Sequence, residues 1–237
     1  MKIALLLSGQ IRKFSDSFPA IKEYIINPLK CDLFVRVCKD ENINELYDYV
    51  SEKDCKELEV AKDFFITPVG ICPFFIDKNN RVQRYYQQLY GLYKVNEQRK
   101  RYEISNNFKY DCIIRCRVDL TPLELLNYNF NKFKSNTLYV PNNNGHGGIN
   151  DQFAIGDSSV IDLYCYRLYV IQKMEYPNNN AEQQLEEIIK INNINIEKFP
   201  FKYKLSGVDV GIKLKKSQVY KEDETAYKNP TKSKEIG

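Results

Sequence analysis

Tryptophan is absent from this sequence, histidine occurs once, as His146, and methionine only twice. A zinc site built on several imidazoles is excluded, because such sites gather several nitrogen or sulfur ligands around one ion. The seven cysteines include no Cys-x-x-Cys pair; the nearest two, Cys112 and Cys116, lie four apart, on one face if the segment is a strand. No apolar run is long enough to cross a bilayer. The opening Met1–Leu7 run meets Ser8-Gly9-Gln10 too early to serve as the apolar region of a signal peptide. Together these absences predict reduced, mostly buried thiols in a cytoplasmic protein with no membrane span.

What is present is ordinary for a globular core: 43% hydrophobic and 28% charged residues in 237. That length suits one substantial α/β domain. The abundance of Tyr, Asn, Ile and Lys reads as the mark of an AT-rich coding source, not as chemistry. A net charge of +4 is too modest to argue for nucleic acid, and much of it falls in the last stretch of the chain.

"KIALLLSG" is a nearly continuous apolar run, as expected of a central parallel strand covered on both faces. Pro19 stands near the start of a helical pattern in "FPAIKEYIINPL". "CDLFVRV" reads as a strand, 43–50 as a short helix and 57–60 as a short strand. "NRVQRYYQQLYGLYKVNEQRKRYEIS" has the helical period throughout. "YDCIIRCRVDL" is the next strand, followed by "NTLYVP", a loop in "NNNGHGGIND", the strand "QFAIGD", helices over 158–174 and 181–192, and extended segments in "NIEKFPFKYKLSG" and "VDVGIKL". This alternation predicts an α/β domain over 1–214, with a mostly parallel sheet flanked by helices. A charged, flexible tail is expected over 215–237.

Ligands of such sheets bind outside the carboxyl ends of the strands. Two of those ends carry unusual residues. In "YDCIIRCRVDL", Arg115, Arg117 and Asp119 share one face and Cys112, Ile114, Cys116 and Val118 the other. A purely solvated polar face conflicts with a strand in the middle of a covered sheet, so a site at the strand end is the better reading. In "SGQIR", Ser8 and Gly9 let the backbone approach a ligand, Gln10 can hydrogen-bond a base edge, and Arg12 can reach a phosphate. An ordinary strand-to-helix turn would also use these residues. Neither the glycine spacing of a dinucleotide fingerprint nor that of a P-loop is present.

The blocks "LLLSGQIR", "QQLYGLYKVNEQRKRYE", "YDCIIRCRVDL" and "INDQFAIGD" resemble nucleotide-sugar-dependent glycosyltransferases of the GT-A (Rossmann-like) fold. More narrowly, they resemble the small Arg-x-Asp-bearing glycosyltransferase-like proteins of bacteria and large DNA viruses. The resemblance spans roughly 2–193. It implies a hexosyl- or pentosyltransferase with a nucleoside-diphosphate sugar donor, a glycan or other hydroxyl acceptor, and a divalent cation (Mn2+ or Mg2+) held at a strand-end carboxylate. Where that family carries Asp-x-Asp, this chain has Arg117-Val118-Asp119. Asp119 becomes the candidate for the metal or ribose contact. Arg115 and Arg117 become candidates for diphosphate or structural contacts, with Asp111 or Glu103 as alternative partners of Arg115.

By the same resemblance the glycine-bearing loop faces the acceptor. Asp151 is the candidate base for the acceptor hydroxyl's proton, or else caps its own turn. His146 is a candidate base, metal ligand or acceptor contact. Glu182 matches an acidic position, or simply prefers a helix N-terminus. A sugar nucleotidyltransferase and a non-catalytic nucleotide-sugar-binding module are the alternatives.

Overall fold

The computed structural model describes residues 1–39, 42–51, 53–61, 81–126, 128–171 and 180–206, with the backbone alone over 81–83. These fall in one compact unit, Met1–Ser206. The expected segment 208–214 and the tail 215–237 lie outside the described residues, as do the last residues of the helix expected over 158–174.

Among the described residues nine strands form: β1 (Ile3–Gly9), β2 (Asp32–Cys38), β3 (Glu57–Ala61), β4 (Cys112–Arg117), β5 (Leu120–Pro122), β6 (Thr137–Pro141), β7 (Phe153–Gly156), β8 (Asn195–Phe199) and β9 (Tyr203–Leu205). Seven of them make one sheet in the order β3-β2-β1-β4-β7-β6-β8, while β5 and β9 pair in a small second sheet. β1 to β4 are parallel and β6 pairs parallel with β8; only β7 runs against its neighbours. The architecture is therefore α/β with a mixed, mostly parallel central sheet.

The apolar alternation decides which face each helix covers. Ile3, Leu5, Leu7, Ile114 and Cys116 join one core with Phe14 and Phe18 of α1 (Phe14–Ile21) and Leu46 of α3 (Ile43–Tyr49). Ala4, Leu6, Phe34 and Ile113 face the opposite core, built by α4 (Arg81–Ser105), α5 (Ser158–Ile171) and α6 (Ala181–Ile191). Burial of both faces explains the near-continuous apolar run of β1. It also makes Cys116 and Cys165 inert, since burial pushes their thiols up to about 12. None of the described helices is long and apolar enough to cross a membrane.

Two local differences from the sequence pattern have clear causes. Pro19 lies inside α1, not near its start, because the helix already begins at Phe14. Proline supplies no N–H to the turn before it, and a π-helical turn, Lys22–Ile26, follows before α2 (Asn27–Leu29) closes the segment. The strand expected across "YDCIIRCRVDL" is two strands: the chain leaves the main sheet after Arg117, and β5 pairs with β9.

α4 is clamped to α5 through Arg99, which is fully buried. Its guanidinium donates to Asn96, Glu103, Ser158 and Asp162. The clamp accounts for several charges on the long helix as structural.

Candidate functional site

From β1 the chain moves outward to β2 and β3, then returns to place β4 on the other side of β1. The carboxyl ends of β1 and β4 therefore open onto a crevice where the strand order reverses, the general ligand position in such sheets. A cavity of about 300 Å³ lies there, lined by Ser8, Gly9, Gln10, Arg12, Arg117 and Asp119, and by Arg36 and Cys38 of β2. The amino-terminal part of α4 forms its other wall, with Arg84, Tyr85, Gln87, Gln88 and Gly91.

The register shows how the sequence builds this floor. Ser8 pairs with Arg36 on one side and Arg117 on the other, and Arg36 pairs with Glu59. Glu59, Arg36, Ser8 and Arg117 thus form one polar row across four adjacent strands. The neighbouring row, Phe34, Leu6, Arg115 and Ala154, is closed over and fully buried. Gly9 turns the chain out of β1 with φ at 145°, and a Cβ there would stand 3.2 Å from Val118. Glycine is what this turn requires.

Arg117 and Asp119 form a forked pair. Arg117 Nε donates to Asp119 Oδ1 (2.8 Å) and Nη2 to Oδ2 (2.7 Å). Burial opposes the charge of Arg117, yet Asp119 shifts its titration upward and keeps it cationic. Arg12 Nη1 lies 3.9 Å from Asp119 Oδ2, and Arg12 Nη2 donates to Gln10 Oε1 at 2.7 Å. Arg36 is held from behind by Glu59, at 3.3 Å. Among the described residues four guanidiniums and one carboxylate therefore line the cavity, a donor set suited to a multiply charged anion.

Arg115 stands apart from this group. It is 0% exposed, does not line the cavity, and its Nη1 donates to the backbone carbonyl of Asp151 at 2.5 Å. Asp111 and Glu103 are not its partners: Asp111 accepts from the Lys2 amide, and Glu103 from Arg99 and the Tyr110 amide. The reason is α5, which covers this part of β4 and leaves no open end for Arg115 to reach.

Asp151, His146 and Glu182 gather beside the cavity's α4 wall. Asp151 is 5% exposed; its Oδ2 accepts from Gln88 Nε2 at 3.3 Å and lies 3.6 Å from Arg167 Nη2. The local turn is capped by its neighbour instead, since Asn150 Oδ1 accepts from the Gln152 and Phe153 amides. The glycine loop is seated on the start of α6. Ile149 N donates to Glu182 O, Asn180 Nδ2 donates to His146 O, and a Cβ on Gly148 would collide with the Glu182 backbone. The His146 side chain is exposed and its φ is 40°. Glu182 is half-buried; desolvation and then the field of Asp151 raise its carboxyl above the ordinary range, with His146 and Arg167 opposing the shift.

Residues that the sequence reading missed are Arg36, Arg84, Tyr85, Gln88, Gly91 and Arg167. Arg36 had a signal, a lone arginine on the inward face of an apolar strand. Arg167 had the same signal on the apolar side of a helix. The α4 residues had none, because one polar stripe of a long helix looks like any solvated face.

Fold and cavity together define an α/β protein with a guanidinium-lined crevice at the reversal of its strand order. The chain belongs to the family described as a domain of unknown function, DUF7796, which matches residues 1–205. No curated protein matches it.

Proposed function

We propose that this protein is a glycosyltransferase that holds a nucleoside-diphosphate sugar in the crevice between β1 and β4. One observation carries the reading: four arginines and the Ser8-Gly9 turn line a single cavity at the strand reversal, and Asp151, against its Gln88 wall, lies in the electrostatic reach of a second carboxylate, Glu182. A volume of about 300 Å³ is at the lower end for ligand pockets. The sheet order supports this reading at the level of an α/β fold with a mixed, mostly parallel sheet and a crevice at its reversal point.

The chemistry divides between the two groups. As the bond from the sugar's anomeric carbon to the diphosphate oxygen breaks, its electron pair stays on the diphosphate. The guanidiniums meet that growing charge in a partly desolvated cavity, where fixed cations count for more than in water. The acceptor oxygen bonds to the anomeric carbon and its proton passes to a carboxylate. Glu182 fits that role best, because desolvation makes it more basic than an ordinary glutamate. Asp151 is committed to Gln88 and Arg167, and in this account it orients the acceptor side. His146, exposed on the loop, contacts the acceptor.

The engagement of Asp151 also favours a second reading, a binding module without turnover. Nucleoside-diphosphate release distinguishes the two. UDP-, GDP-, CDP- and dTDP-sugars are incubated with the protein, with and without a pool of mono- and oligosaccharide acceptors. One donor class should release its diphosphate faster with acceptor present. In Glu182→Gln, that rate should fall by about a hundredfold or more while the donor still binds. Donor binding without release in the native protein would establish the binding module, and no binding by any donor would overturn both readings.

A further inference from the structure

A divalent cation is what the resemblance implies at Asp119, and the residues there do not fit one. Hard cations need several oxygen ligands that are free to approach. Both oxygens of Asp119 already accept hydrogen bonds from Arg117, at 2.8 and 2.7 Å, and Arg12 stands 3.9 Å away on the same carboxylate. Among the described residues no other carboxylate lines the cavity, and Glu59 beneath it is paired with Arg36 and Gln98. Among the described residues no three His, Cys, Asp or Glu side chains come together as a metal group. A cation seated at Asp119 would first have to displace the Arg117 fork and would then sit among the guanidiniums of Arg12, Arg36, Arg84 and Arg117.

Resting on the reading of this cavity as a nucleoside-diphosphate site, we propose that it binds the diphosphate without a metal, the four arginines supplying the countercharge, and that Asp119 serves to position Arg117. A fork held at Nε and Nη2 fixes the plane of the guanidinium. It leaves Arg117 Nη1 without a protein partner among the described residues. Asp119 is in turn held rigidly. It is 3% exposed, and its backbone carbonyl accepts from the Ser206 amide at 2.7 Å. The arrangement has the order of parts found in oriented ion pairs: an anchored carboxylate, a guanidinium held in plane, and remaining N–H groups available to phosphate oxygens. Arg117, where the glycosyltransferases that the sequence resembles carry an aspartate, then removes a cation ligand and supplies a cation in one step.

Isothermal titration calorimetry with UDP, GDP, CDP, ADP and dTDP tests this, each run once in excess EDTA and once with Mn2+. The expected result is that the tightest-binding diphosphate keeps its affinity in EDTA to within about threefold. Binding present with Mn2+ and lost in EDTA would overturn the metal-free proposal while leaving the nucleotide reading intact. Absence of binding in both buffers would overturn the nucleotide reading, and the proposal with it. Two variants separate the roles, each checked for an unchanged melting curve. Arg117→Ala should lose at least about tenfold in affinity in EDTA. Asp119→Asn keeps one acceptor for the fork and should lose less than Arg117→Ala; a larger loss confined to the Mn2+ buffer would make Asp119 a metal ligand after all.

Discussion

Gly91 of α4 faces Arg36 of β2 across the cavity floor with room for a single methyl group: a Cβ built there would stand 3.7 Å from Arg36 Nη1 and 3.8 Å from Ser8 Cβ. Glycine inside a long helix costs about 0.5–1 kcal/mol relative to alanine. Nothing in the packing demands it, since both distances are ordinary contacts. Its value lies in the space it leaves open. Gly91→Ala should therefore raise stability by up to about 1 kcal/mol in urea unfolding. The same change should weaken the thermal shift given by nucleoside diphosphates. A variant that gained stability and bound as well as the native protein would remove Gly91 from the site.

The pair Asp151 and Arg167 gives a second expectation. Arg167 is fully buried, with none of its three guanidinium nitrogens hydrogen-bonded. Its charge is met by Asp151, 3.6 Å away, and by the ring of Tyr164, 4.5 Å from the guanidinium carbon. Removing one partner of a buried pair leaves the other charge uncompensated, at about 3–5 kcal/mol. Asp151→Ala should lose that much in urea unfolding. The double variant with Arg167→Met should recover a good part of the loss, since a neutral side chain then fills the place. Native-like stability of Asp151→Ala alone would show that Arg167 does not depend on this carboxylate.

Glu182 sets a pH dependence. Its carboxyl titrates above the ordinary value of 4.5 in the folded protein because burial disfavours the charge. The folded state thus holds its proton to higher pH than the unfolded chain does. That contribution to stability is fully present below pH 4.5 and is lost as pH rises through the raised value. Glu182→Gln should melt higher than the native protein at pH 7. The gap should close as pH falls below the ordinary glutamate range. Equal melting temperatures at both pH values would remove the desolvation argument for Glu182 as the base.

Gly148 holds the glycine-bearing loop on α6. Any Cβ there meets the carbonyl of Glu182 and the amide of Gln183. Gly148→Ala should lift the loop and cost roughly 1–3 kcal/mol, as overpacking does. Hydrogen exchange at the Ile149 amide, which donates to Glu182 O at 3.2 Å, reads this directly. Faster exchange there is expected, and unchanged protection would show that the loop tolerates the methyl group.

Much of this fold was legible in the sequence because each element carries a strong local period. The run Ile3–Leu7, the length of α4 and the alternation in Cys112–Val118 fix their own type and their buried faces. The split after Arg117 was not legible, since Leu120–Pro122 continues the same extended pattern and only its partner Tyr203–Leu205 tells them apart. At the site, Ser8, Gly9, Gln10, Arg12, Arg117 and Asp119 line one cavity, as their place at two strand ends implies. Arg115 shares their face but belongs to the core, because the period of a strand gives a side and not a depth. The contribution of α4 depends on how that helix crosses β1 and β2, which no local pattern encodes.

The most direct test of the central claim is a crystal structure of the protein with the nucleoside diphosphate that raises its melting temperature most. The diphosphate should lie in the crevice between the ends of β1 and β4. Its oxygens should lie within about 3 Å of Arg117 and of at least one of Arg12, Arg36 and Arg84. The nucleoside should lie against the Ser8–Gln10 turn. A nucleotide bound elsewhere, with this cavity holding only water at saturating concentration, would contradict it.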